Sequence, residues 1–170
     1  NITRRKTAEL RAAEDRDLFH TLIEHIPDSI YFKNRESRFV LANTATANKL
    51  GVPTPADLTG RTDDYFFDQT MSDISRKEEM DIMVTGRPIR ARLHHETWLH
   101  KDDSWSQISK FPWYGRNGEL KGIVGISSDV TKLVKTEIKA TETARILEER
   151  NRTLEKEIDL AREIQFALLP

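Results

Sequence analysis

Cysteine is absent from the 170 residues, so neither disulfides nor thiolate chemistry can shape this chain. Glycine and proline are sparse, seven and six, and neither occurs between Val130 and Leu168. Nothing in that stretch breaks a helix. Apolar runs reach only a few residues, too short to span a membrane. No signal peptide opens at Asn1, and a cytoplasmic location is expected. Neither sign of charge dominates, since Lys and Arg number 27 against 28 Asp and Glu, a net charge of −1. Without a basic block, nucleic acid is not an expected partner. Charged residues at 32% and hydrophobic ones at 37% suit one domain of ordinary size plus much exposed helix. The chain starts without Met and stops at Pro170, just after a helical pattern; it reads as a piece of something longer.

The long uninterrupted stretch has a period of seven. Leu133, Ala140, Leu147, Leu154, Ala161 and Leu168 occupy one heptad position. Three residues earlier in each heptad stand Val130, Glu137, Ala144, Asn151, Ile158 and Gln165. This is an a/d seam, and leucine at d with a lone Asn151 at a favours a parallel two-stranded coiled coil. The flanks agree: in such a pair Arg150 at g faces Glu155 of the other copy, and Glu157 faces Arg162. The competing reading is one amphipathic helix packed on its own domain. Glu137 and Gln165 weaken the seam at its ends, which suits a helix whose pairing can be altered. The expected dimer seam is Leu133, Ala140, Ala144, Leu147, Asn151, Leu154, Ile158, Ala161 and Leu168.

Before that stretch, residues 1–26 read as a helix with a stripe of Leu18, Phe19, Leu22, Ile23 and Ile26, stopped by Pro27. Ser29 to Lys33 and Arg38 to Ala42 form a hairpin around Asn34–Ser37. Asn43 precedes a short helix, Thr44 to Leu50, closed by Gly51. Residues 52–69 are loop-rich. Met71 to Thr85 is helical and ends at Gly86 with Pro88 beyond. Ile89, Ala91 and Leu93 alternate with Arg90, Arg92 and His94, which predicts a strand with apolar residues inward and basic ones outward. Trp105 to Tyr114 is the next strand, and Pro112 requires an edge or a bulge there. Asn117-Gly118 then turns into a last strand, Leu120 to Ser128. Asp129 is placed to cap the long helix. The order predicts an α+β fold: a five-stranded antiparallel sheet with helices on one face, flanked by an N-terminal helix and a long C-terminal coiled-coil helix. Domain bounds are 1–26, 27–130 and 131–170.

Several strings resemble a PAS domain, a sensory module of bacterial signalling proteins. They are Pro27-Asp28-Ser29-Ile30-Tyr31-Phe32-Lys33, Arg38-Phe39-Val40-Leu41-Ala42-Asn43, Gly60-Arg61-Thr62-Asp63 and Thr85-Gly86-Arg87-Pro88. The last, Gly122 to Thr131, resembles the family's Asp-Ile-Thr exit, with Val130 in place of isoleucine; Asp129 and Thr131 are its expected signal-exit residues. The end of the chain, Glu157 to Pro170, is similar to the opening helix of metal-dependent serine/threonine phosphatases of the sporulation and stress-response type. That resemblance implies a downstream phosphatase domain in cis, whose aspartates would bind manganese or magnesium. None of those motifs lies within these residues.

The PAS resemblance raises the matter of a cofactor. Covalent flavin needs a cysteine, and haem needs an axial ligand, usually His, on the middle helix, which has none. Met80 and Met83 read as core filling. No cofactor is expected, although a small ligand such as a fatty acid or organic anion fits a pocket of Phe39, Leu41, Met80, Ile108 and Val124; a fully packed core is the alternative. His94 and His95, adjacent on a strand, point to opposite faces and read as solvated rather than metal-binding. Trp98, Trp105, Trp113 and Tyr114 read as core or dimer packing. Asp63, Asp64 and Asp68 lack calcium-loop spacing and read as a polar loop. No catalytic constellation is present, so the segment itself is expected not to be an enzyme. The expectation is a homodimeric sensory module that transmits a signal through a parallel coiled coil to a phosphatase, in partner-switching control of a sigma factor. The alternative is the input region of a histidine kinase or other signalling enzyme; no His occurs from Lys101 to Pro170.

Overall fold

The computed structural model describes residues 2–168 and divides into two compact units at Val130/Thr131. Asn1, and the last two residues of the phosphatase-like string, Leu169 and Pro170, lie outside the described residues.

In the first unit, α1 (Ile2–His25) precedes β1 (Ser29–Asn34) and β2 (Phe39–Ala42). The Asn34 side chain accepts hydrogen bonds from the backbone of Glu36 and Arg38 and sets the hairpin turn. α2 (Thr44–Leu50) follows, started by Asn43 and closed by Gly51 at φ 75°. Asn43 is fully buried. Its Nδ2 donates to the carbonyls of Ile23 and Asp28, and its Oδ1 accepts from Ile30 N and Thr46 N. One side chain thus ties α1, β1 and α2 together while satisfying an orphan helix donor. Two short 3₁₀ turns lead to α3 (Gln69–Thr85), capped by Asp68 and ended by Gly86. β3 (Ile89–Glu96), β4 (Ser104–Tyr114) and β5 (Leu120–Asp129) form a meander.

The sheet is five-stranded and antiparallel, as the sequence pattern predicts, and its order is β2-β1-β5-β4-β3. Pro112 sits in an inner strand without harm. β3 pairs with β4 only as far as Lys110, so at Pro112 one side has no ladder for a missing N–H to break.

The two sheet faces differ in cover. Outward, Phe32 packs edge-on against Trp113 and against Phe19 of α1. Inward, Phe39, Leu58, Phe66, Phe67 and Met71 form the apolar core. β3 reverses the expected alternation. His94 and Glu96 are buried and Leu93 is 51% exposed, because the buried acidic residues of α3 and the Lys49 ammonium of α2 draw these side chains inward (below). The stripe on α1 is also mostly unburied: Ile23 is its buried member, whereas Leu18 and Leu22 are 71% and 59% exposed.

The second unit is α4 (Thr131–Ala167), 37 residues with none buried. Leu168 continues it by one hydrogen bond to the Ile164 carbonyl. Asp129 ends β5 and Thr131 opens α4.

Candidate functional site: a polar cavity under the sheet

β1 and β4 each place a lysine on the inner face of the sheet. Lys33 and Lys110 are 1% exposed. The Lys33 ammonium donates at 2.7 Å to both oxygens of Asp63 and at 2.7 Å to Glu79 Oε1, and it lies 4.8 Å from the Phe39 ring centroid. Lys110 Nζ donates to Ser75 Oγ at 3.0 Å and stands 3.1 Å from Glu78 Oε2. Glu78 in turn takes His94 Nε2 at 3.0 Å and Arg92 at 2.8 Å through Oε1. A second cluster forms around α2. Lys49 Nζ donates to Glu96 Oε1, Ser106 Oγ and Ser127 Oγ at 2.7, 2.7 and 2.8 Å. Glu96 Oε2 accepts from Ser104 and Ser106.

The electrostatics follow from these contacts. Burial alone would raise the Glu78 carboxyl, but His94, Lys110 and Arg92 overcome it and hold the group at about 2. Burial likewise opposes ionisation of Asp63, and the facing Lys33 and Lys110 still bring it below its ordinary value. The same pairing raises Lys33 against the effect of burial. Tyr31 is pushed well above the ordinary phenol value, first by burial and then by Glu79, Asp63, Glu96 and Glu78. Its hydroxyl therefore stays protonated and is a donor.

Between the two clusters lies a cavity of about 40 Å³, room for roughly two or three waters. Its polar lining comes from Ser29, Tyr31, Thr46, Lys49, Asp63, Ser75, Glu96, Lys110 and Ser127. Gly125 makes room for the Tyr31 ring in its wall, since a Cβ there would collide with that ring.

Of the residues expected to line a pocket, Phe39 and Ile108 do so. Leu41, Met80 and Val124 do not. Leu41 is 40% exposed and lines a groove on the outer face with Phe19 and Trp113. Met80 is 55% exposed on the far side of α3, so it is not core filling either. Val124 alternates with the inward Ile123 and Gly125 and faces the other way. The methionine in the cavity wall is Met71. His94 is buried rather than solvated; His95, on the opposite face, is exposed and stacks on Trp105. Asp63 is a buried ion-pair partner rather than part of a solvated loop. Of its neighbours, Asp64 pairs with Arg76, and Asp68 caps α3. Trp98 packs on Phe67 and donates to Ser104, Trp113 packs on Phe32, and Tyr114 is 51% exposed. The lysines were missed because Lys33 and Lys110 look like the outward members of alternating strands. The seam residues fall at successive heptad positions of α4; Leu133, Leu147, Leu154 and Ile158 are 67%, 55%, 46% and 52% exposed.

A five-stranded antiparallel sheet over a small internal cavity, with one helix before it and another starting at Thr131, is the architecture of a PAS domain. The chain belongs to the PAS fold family, whose model matches residues 23–135. It is 31% identical over 111 residues to a diguanylate cyclase of Vibrio cholerae, covering 62% of this chain and 33% of that protein. It is 23% identical over 129 residues to the methanogenesis regulatory histidine kinase FilI of Methanothrix harundinacea, covering 76% of this chain and 14% of that protein. The chain thus spans a third or less of the curated relatives it matches. Among solved structures, the PAS domain of Bordetella pertussis BvgS superposes with a TM-score of 0.55 at 24% identity, covering 76% of this chain and 98% of that one. The PAS domain is a sensory, non-catalytic module of signalling proteins, and among the described residues no helix is long and apolar enough to cross a membrane.

Proposed function

We propose that this chain is a sensory and dimerisation module of a cytoplasmic protein. Its PAS unit biases how two α4 helices pair, and the paired helices set the activity of a downstream serine/threonine phosphatase in partner-switching control of a sigma factor. The observation that carries the reading is the heptad row of exposed leucines on α4, an apolar stripe that a second copy would cover. Asn151 at the centre of the seam resists slippage, which favours rotation or splaying of the pair as the transmitted motion. A few kcal/mol of differential contact shifts such an equilibrium. The PAS part needs no resident cofactor for this; a small ligand in the cavity would supply the bias. Light scattering tests the pairing. The expected mass is that of a dimer, and a monomer at high concentration overturns the coiled coil.

The nature of the output is a separate matter. The phosphatase rests on the string Glu157 to Pro170, whereas the relatives favour a second reading, the input region of a histidine kinase or other signalling enzyme. The full-length protein separates the two. Manganese-dependent release of phosphate from a phosphoserine protein is expected of the first. Autophosphorylation from ATP on histidine would establish the second and sink the first.

A further inference from the structure

The cavity wall holds its own charges in balance. The charged residues that line it are Lys49, Lys110, Asp63 and Glu96, two cations against two carboxylates, and each is already paired: Lys49 with Glu96, Lys110 with Glu78, and Asp63 with Lys33. Lys49 spends its three N–H donors on Glu96, Ser106 and Ser127. An added carboxylate or ammonium would find no uncommitted counter-ion here, and its desolvation would go uncompensated. Hydroxyl hydrogens are what the wall has to spare. The side chains of Ser29 and Tyr31 line the cavity with no hydrogen-bond partner among the described residues. Ser127 Oγ accepts from Lys49, leaving its own hydrogen to donate. Ser29 and Ser127 are 5% and 4% exposed. The remaining wall is apolar, made by Phe39, Leu50, Phe67, Met71 and Ile108.

We infer that the cavity takes a small uncharged molecule that accepts hydrogen bonds from Tyr31, Ser29 and Ser127 and lays an apolar body against Phe39, Phe67 and Met71. A carbonyl, ring nitrogen or hydroxyl oxygen meets the requirement. The organic anions that the family resemblance allows do not. Four carboxylates already act on Tyr31, so an anion beside it adds to their repulsion. The occupant is either only a few atoms in size or moves the wall, and the flexible Met71 is the side chain best able to give way. A way in exists. Ser29, Lys49 and Ser127 line both the cavity and an open surface groove that also contains Asp129. A ligand passing there displaces the ammonium that ties α2 to β3, β4 and β5, in the groove that holds Asp129, the last residue of β5.

The inference rests on the sensory reading, and one experiment separates their failures. The 170-residue chain, labelled with ¹³C at its methionine methyls, is titrated with cyclopentanone and propane-1,2-diol as uncharged probes and with succinate and butane-1,4-diamine as charged ones. The Met71 signal is expected to shift saturably with an uncharged probe and to stay fixed with both charged ones, while exposed Met80 serves as the internal control. Tyr31→Phe or, should that variant fold poorly, Ser127→Ala weakens the uncharged probe about fivefold, the loss of roughly one hydrogen bond. Tighter binding of succinate or the diamine overturns the charge class and leaves the sensory reading standing. No Met71 shift with any probe overturns the cavity as a ligand site. Saturable binding of an uncharged probe to a chain that light scattering finds monomeric upholds the inference and removes the transmission mechanism instead.

Discussion

The two units of this chain depart from the usual distribution of residues in opposite directions. The sheet unit buries charge: Lys33, Lys110, Glu79 and Glu96 are each at most 2% exposed. α4 exposes apolar side chains along a regular row. Each departure is costly for an isolated chain, and each has a different resolution. In the sheet unit the charges answer one another internally, so the departure is settled within the fold and leaves a polar cavity as its product. In α4 no such answer lies within the helix, and the proposed pairing would supply it from a second copy. On the readings proposed above, charge inside would mark a place for a small molecule, and apolar surface outside a place for a protein.

The largest effect expected from disturbing either region is in the first. Lys33→Met leaves Asp63 and Glu79 buried without their shared cation and should destabilise the fold by about 3–5 kcal/mol near neutral pH, read by urea denaturation. The pH dependence sharpens the point. In the native protein Glu78 is held at about 2 against an ordinary 4.5, and Asp63 is also depressed. A carboxylate whose folded value lies below its unfolded one contributes stability above the unfolded value and loses it as pH falls through the folded one. Native stability is thus expected to decline between about pH 5 and pH 2. In Lys33→Met, Asp63 no longer has the cation that keeps its proton off, so the gap between variant and native protein should narrow as pH falls. A gap that stays constant with pH would show that Lys33 acts through packing of its stem rather than through charge.

The second region is tested by Asn151→Ile. If Asn151 sits in a paired seam, replacing it raises thermal stability and loosens the choice of oligomer, seen as species larger than dimers in light scattering. A fall in melting temperature would place the residue away from the seam.

The sequence reveals these two regions unequally. The elements and most of their limits are legible because they depend on local chemistry: Asn117-Gly118 makes a turn, Gly51 and Gly86 close helices, and Pro27 stops one; Asp68, read as part of a polar loop, instead caps α3. The apolar heptad row on α4 is legible for the same reason, since a period of 3.5 needs no tertiary partner to be seen. The cavity is not. Its polar lining is assembled by ion pairs across long sequence separations, Lys33 to Glu79 and Lys49 to Glu96, and a lysine in an alternating strand ordinarily points to water. β3 misleads most plainly: apolar Ile89 and Leu93 suggest one inward face, but Glu78 draws Arg92 and His94 to the other. Asp63, directly after the Gly60-Arg61-Thr62 string, was the available signal, an acidic residue in a segment otherwise built of turns.

The smallest effect gives the finest test of the comparison. Arg145 and Glu149 form an i, i+4 pair on α4 at 3.0 Å, with side chains 65% and 61% exposed. In the proposed pairing they occupy heptad positions b and f, on the side of the helix away from the seam. Such a pair contributes roughly 0.2–0.5 kcal/mol, and less as salt rises. Arg145→Ala should therefore leave the dimer mass unchanged and lower the melting temperature by no more than a small, salt-dependent amount. Ala144→Glu, one residue earlier, puts a charge at an a position and should split the dimer. If Arg145→Ala dissociates the dimer and Ala144→Glu does not, the face that pairs includes position b, and the leucine row is not what holds the two copies together.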